Sequence, residues 1–172
     1  MNAALVTGLD SPTGIAVSGS SLFVTNIRTG TIGEYTTSGA TVNAALITGL
    51  SEPTGIAVSG SNLFVANLNT GKIGEYTTSG ATVNASLLSL QPGVTGIAVS
   101  GSDLLVANYA ATTIGEYTTS GATVNNSLIN GLDGSYGIVV VSEPSSLVLA
   151  CFAAAGLAIA IRKRRAMLAL IG

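Results

Sequence analysis

Two side-chain types recur every 41 residues and are the first candidates for chemistry. Carboxylates stand at Glu34, Glu75 and Glu116, and carboxamides at Asn26, Asn67 and Asn108. Such groups can hold a cation or work as an acid–base pair only where they converge on one point. Equal residues of successive repeats lie one structural unit apart, too far for paired-carboxylate chemistry. The glutamates therefore read as solvated strand positions. Tyr35, Tyr76 and Tyr117, beside them in sequence, read as packing between units. The chain has no histidine and one cysteine, Cys151, which excludes a Ser-His-Asp triad, a histidine base and an intrachain disulfide. It has no glycine-rich phosphate loop and no metal-spaced Cys or His cluster. These absences favour a non-catalytic chain with no metal and no cofactor.

The elements that carry these residues are copies of one unit. Asn2, Asn43, Asn84 and Asn125 are spaced by 41, as are Gly14, Gly55, Gly96 and Gly137. A fixed period of ~40–50 residues marks propellers or arrays. Within a copy, Gly14–Val17 is short and apolar, as a strand buried on both faces would be. Ser18-Gly19-Ser20 turns it into Leu22–Thr25, and a loop from Asn26 to Gly30 leads to Ile32–Thr36. Thr37-Ser38-Gly39 turns into a fourth run, Thr41 to Thr48. Four antiparallel strands in about forty residues make one propeller blade.

The strings P-T-G-I-A-V, L-F-V-T-N and I-G-E-Y resemble the NHL repeat over roughly residues 9–141. That resemblance implies an all-β fold of NHL-like β-propeller blades. Asn26, Asn67 and Asn108 stand where NHL blades often carry Asp, which weakens a metal-site analogy. Three full four-stranded blades are expected near 13–48, 54–89 and 95–130. Asn2–Thr7 is expected as the outer strand of an earlier blade, and Gly137–Val141 as the inner strand of a fourth that the tail interrupts. Rings have about 4–8 blades. The expectation is an incomplete ring, from a fragment or a misplaced gene start.

Copies differ mainly in two places. The segment before the inner strand reads Asp10-Ser11-Pro12, Ser51-Glu52-Pro53, Gln91-Pro92-Gly93 and Asp133-Gly134-Ser135. The loop after the second strand reads Ile27-Arg28, Leu68-Asn69 and Tyr109-Ala110. In an up-and-down blade both emerge on one rim, and loops on a rigid scaffold are where binding evolves. The expected binding rim is Asn26, Arg28, Asn67, Asn69, Asn108 and Tyr109; drift in unconstrained loops is the competing reading.

Charge divides the chain differently. Up to Pro144 there are two cations, Arg28 and Lys72, and eight acids, a balance of −6. Such a body lacks the clustered cations that nucleic acid requires. The other cations form one run, Arg162-Lys163-Arg164-Arg165. Between Leu147 and Ile161 no residue is charged or strongly polar. An apolar run closed by cations reads as a membrane helix over 145–161 with a cytoplasmic end. Fifteen residues at ~1.5 Å each span roughly 22 Å, short of the ~30 Å hydrocarbon core, and long basic side chains can reach the headgroups.

The layout Ser142-Glu143-Pro144, apolar run and basic end resembles the PEP-CTERM sorting signal of Gram-negative bacteria over about 142–165. Glu143 and Pro144 match its second and third motif positions, and Ser142 stands where the first Pro is usual. The resemblance implies processing by an exosortase, a repeat region held on the periplasmic or outer face of a membrane or released from it, and an association with exopolysaccharide or biofilm. The extension 166–172 departs from the pattern, and no N-terminal export signal is evident. The expected organisation is repeats over 1–141, sorting signal over 142–165 and apolar extension over 166–172. The functional expectation is a surface binding or structural protein whose partners are the membrane, an exosortase and surface polysaccharide or protein. The alternatives are a lactonase-like hydrolase or lyase with its active residues in absent blades, and an open matrix array.

Overall fold

The computed structural model describes residues 4–143, 146–153 and 158–163. The described residues form antiparallel sheets and no helix. Blade 1 contains β1 (Pro12–Ser18), β2 (Ser21–Asn26), β3 (Thr31–Thr36) and β4 (Thr41–Ile47). Blade 2 contains β5 (Pro53–Ser59), β6 (Asn62–Asn67), β7 (Lys72–Thr77) and β8 (Thr82–Ser89). Blade 3 contains β9 (Val94–Ser100), β10 (Asp103–Asn108), β11 (Thr113–Thr118) and β12 (Thr123–Ile129). In each, neighbouring strands are consecutive in sequence. Ser18 pairs with Ser21, so β1 and β2 are joined by the two-residue loop Gly19-Ser20, with Gly19 at a φ of 57°. A glycine at the first of two loop residues lets the hairpin follow the right-handed twist of its strands.

The alternation of each strand decides how blades stack. Leu22 and Val24 of β2 lie on one face with Tyr35, against Val6 and Leu9. Phe23 lies on the other face with Ala16, Ile32 and Ile47, against Ile56, Leu63, Val65 and Tyr76 of blade 2. The same junction recurs between blades 2 and 3, where Phe64 and Ile73 meet Leu104, Val106 and Tyr117. Both faces of a second strand are therefore covered, and its sequence is apolar without alternation. Complete burial of a side chain such as Phe64 is worth about 1.5–3 kcal/mol.

Inner strands converge most closely. A Cβ on Gly55 would lie 2.9 Å from both Ile97 N and Thr95 O, so only glycine fits between β5 and β9. Threonines stitch the same line: Thr13 Oγ1 donates to Pro53 O at 3.2 Å, Thr54 Oγ1 to Val94 O at 3.1 Å and Thr95 Oγ1 to Ser135 O at 2.7 Å. Of the tyrosines expected between blades, Tyr76 and Tyr117 are buried in junctions and Tyr35 is buried against Val6 and Leu9. Burial raises the hydroxyls of Tyr76 and Tyr117 above their ordinary value.

The two ends depart from expectation. The described part of Asn2–Thr7 is not a strand, and among the described residues no strand pairs with it. At the other end β13 (Ser135–Glu143) is followed by β14 (Ser146–Ala153) and β15 (Ala158–Lys163), a three-stranded sheet in the order β13-β14-β15. The helix expected over 145–161 is thus not formed by its described residues. An uninterrupted apolar run carries no period to separate helix from strand. Here it gives its backbone groups to the edge of β13, with Val140 opposite Leu149 and Leu149 opposite Ile161. Ser142 and Glu143 end β13, and Arg162 and Lys163 end β15. Pro144, Arg164, Arg165 and the extension 166–172 lie outside the described residues.

Candidate functional site

Strand register brings the two variable segments of each copy together. Pro12 lies opposite Asn26, Pro53 opposite Asn67 and Val94 opposite Asn108. The start of each inner strand thus sits beside the end of each second strand, on one rim. The asparagines are buried and occupied. Asn26 Oδ1 accepts from Asp10 N at 3.1 Å, and Asn67 Oδ1 from Ser51 N at 3.1 Å. Asn108 Nδ2 donates to Gln91 O at 2.7 Å while its Oδ1 accepts from Ala111 N at 2.9 Å. These side chains fasten the segment before the inner strand to the end of the second strand. A buried amide needs such partners.

Beneath them the backbone takes a left-handed turn. Ser11 and Glu52, at φ 53°, hold the position that Gly93 and Gly134 hold in later copies. For a residue with a Cβ that conformation costs roughly 1–2 kcal/mol. The loop shape is kept although its sequence varies.

The groups that reach solvent are Arg28, Asn69 and Tyr109. The Arg28 guanidinium is 4.0 Å from Asp10 Oδ1, an exposed contact of the kind worth less than about 1 kcal/mol. The Tyr109 ring lies 5.2 Å from that of Tyr136, tilted by 32°, and both are exposed. Tyr109, chiefly through its charge when ionised and then with burial and a hydrogen bond, raises the Tyr136 hydroxyl above its ordinary value. Tyr136 was not among the expected rim residues. Its position holds Thr13, Thr54 and Thr95 in the earlier copies, so the sequence signal was the break in the Thr-Gly pair. An aromatic pair open to solvent offers flat apolar faces and two polar tips.

The glutamates are less solvated than expected, Glu34 and Glu75 being half-buried and hydrogen-bonded. Ser21 Oγ donates to Glu34 Oε1 at 2.8 Å, and Asn62 Nδ2 donates to Glu75 Oε1 at 2.8 Å. Glu34 lies opposite Phe23, so Ser21 is its diagonal neighbour on the same face. In blade 3 Asp103 takes the place of Ser21, and Glu116 is buried. Among the described residues no three His, Cys, Asp or Glu side chains are grouped to hold a metal ion.

No family model matches the chain, and no curated protein matches it. Solved structures do. The nidogen–laminin complex contains a chain similar at a TM-score of 0.72 and 18% identity, covering 86% of this chain and 62% of that one. A streptogramin B lyase is similar at a TM-score of 0.64 and 19% identity, covering 90% of this chain and 55% of that one. The fold is that of a β-propeller. A computationally designed protein, Ika4, is similar to this propeller at a TM-score of 0.62 and 14% identity over 94% of this chain and 99% of the other. The propeller here spans little more than half of the lyase chain and less than two thirds of the chain in the nidogen–laminin complex.

Proposed function

We propose that this chain is a non-catalytic, exported propeller that binds surface polysaccharide through its variable rim. The observation that carries the reading is the exposed Tyr109–Tyr136 pair, with rings 5.2 Å apart, beside loops that change from copy to copy. Sugar rings present apolar C–H faces edged by hydroxyls. A tyrosine pair matches both, stacking with its faces and hydrogen-bonding with its tips. The rim has little charge to attract ions, and Arg28 and Asn69 supply further donors. Titration with oligosaccharides cut from the producing cell's own exopolysaccharide tests the reading. Tyr109→Ala and Tyr136→Ala are each expected to weaken binding at least tenfold. Binding that survives both substitutions, or no binding by the unaltered chain, overturns it.

The tail part of the proposal rests on sequence. Ser142-Glu143-Pro144, an apolar run and four cations resemble a PEP-CTERM signal, which implies an exosortase as partner and a repeat region outside the cytoplasmic membrane. Cell fractionation is expected to find the full chain in membranes and a shortened form outside. A full-length chain found wholly in the cytosol would sink it.

A second reading is a hydrolase or lyase whose active residues lie in further blades. Its support is the likeness in fold to streptogramin B lyase. A virginiamycin B lyase from Staphylococcus aureus with one histidine replaced by alanine is catalytically inactive. This chain has no histidine, so on this reading a histidine of that kind would lie in the further blades.

A further inference from the structure

We propose that the seam between blades 2 and 3 contains a second subsite, which takes one neutral sugar ring against Tyr117 and Asn126. A pocket of about 200 Å³ opens there. Leu90 and Gln91, which follow β8 of blade 2, form one wall, and β10, β11 and β12 of blade 3 supply the other. Its polar lining is Gln91, Asn108, Thr113, Tyr117 and Asn126, none of them charged. Tyr117 is 5% exposed, and among the described residues its hydroxyl makes no hydrogen bond. The ring lies across Gly115, where a Cβ would stand 2.6 Å from the phenolic oxygen. Glycine thus leaves room for the hydroxyl, and both residues line the pocket. A buried hydroxyl without a protein partner is satisfied by what enters the cavity beside it.

Comparison of the blades shows what is particular to this seam. Asn125 pairs with Glu116 and Ile129 with Ile114, so the residues from Asn126 to Leu128 stand opposite Gly115 alone. Such a bulge re-aims the side chain it carries. Blades 1 and 2 have the same bulge, with Ala44 and Ala85 at the position of Asn126. At the position of Thr113, blade 2 has Lys72. Here an amide stands for an alanine and a hydroxyl for a cation, which adds neutral donors and acceptors. The buried asparagine also works differently. Asn67 Nδ2 donates to Lys72 O within its own blade at 3.3 Å, whereas Asn108 Nδ2 donates across the seam to Gln91 O at 2.7 Å. That bond fixes the far wall of the pocket.

These features select the ligand. Leu90, Val106 and Gly115 add apolar surface to the hydroxyls and amides. The volume lies below the roughly 300–1,000 Å³ of pockets that enclose drug-sized ligands, so it takes one ring rather than a chain. A pyranose has that size, apolar C–H faces and an edge of hydroxyls. That the sugar belongs to a surface polysaccharide rests on the function proposed above; the pocket does not. Its place fits that function, because Asn108 and Thr113 bound the loop that carries Tyr109.

Nuclear magnetic resonance titration of the full chain tests this, in a detergent without sugar head groups. The probes are the methyl glycosides of glucose, galactose, mannose and N-acetylglucosamine. At least one is expected to shift the Asn126 side-chain amide and the Tyr117 ring to saturation. Asn126→Ala and Tyr117→Phe are each expected to weaken that glycoside about three- to tenfold. Alanine is the residue of the other two blades and phenylalanine keeps the ring, so both variants are expected to unfold with the unaltered chain. Where one unfolds earlier, the shifts on the unaltered chain decide. No shift at either residue, shifts confined to Tyr109 and Tyr136, or equal affinity in both variants overturns the proposal. Saturation of the pocket in a chain that ignores exopolysaccharide fragments upholds this subsite and overturns the rim reading.

Discussion

Ser135 illustrates how one residue departs from the pattern its neighbours set. It occupies the position of Pro12, Pro53 and Val94, and its carbonyl accepts from Thr95 as those of Pro53 and Val94 accept from Thr13 and Thr54. Its hydroxyl is buried and has no hydrogen-bond partner. An orphaned buried donor costs roughly 1–3 kcal/mol. Ser135→Val, the residue used one repeat earlier, is expected to raise unfolding free energy by about 1 kcal/mol in urea titrations. Asn26, Asn67 and Asn108 show the opposite case. Each has a polar side chain in a buried place, and each is bonded there. Their repetition was visible in the sequence, but a repeated amide looks the same whether it binds a ligand or fastens a loop. The partners that distinguish the two are backbone atoms about sixteen residues away, which no pattern of side chains announces.

At the level of elements, most strands were legible because their punctuation is strong. Gly19-Ser20 and its copies end the inner strands, and Leu-Phe-Val has no polar residue to expose. The glutamate partners were not legible, since Ser21 and Asn62 meet Glu34 and Glu75 only through cross-strand register. The described residues of 145–161 are strands rather than the expected helix for a different reason. From Leu147 to Ile161 composition is apolar but aperiodic, and the edge of β13 offers backbone partners that a linear sequence does not display. The inner strands carry a prediction of their own. A Cβ at Gly55 would stand 2.9 Å from Thr95 O and 3.1 Å from Gly96 Cα, both backbone atoms that cannot rotate aside. Gly55→Ala must push β5 from β9 and is expected to destabilise by about 1–3 kcal/mol, measured as a lower denaturant midpoint.

Across the whole molecule, stability is a sum over junctions, because each blade packs against the sheets beside it. Tyr76 and Tyr117 sit in two of those junctions, and burial lifts their hydroxyls above 10.0. The raised value favours the neutral phenol in the folded state. Its contribution is complete below the unfolded value near 10 and is lost as pH climbs through the folded value. The urea midpoint is therefore expected to fall on going from neutral pH to beyond the ordinary tyrosine range. The double variant Tyr76→Phe, Tyr117→Phe should lose less over the same interval; an equal loss would remove these tyrosines as the cause. The near-identity of successive junctions has one more consequence. In-frame deletion or duplication of one 41-residue unit would leave every surviving seam with its usual partners. Blade number, rather than blade shape, is then the trait that recombination within the gene can change most freely.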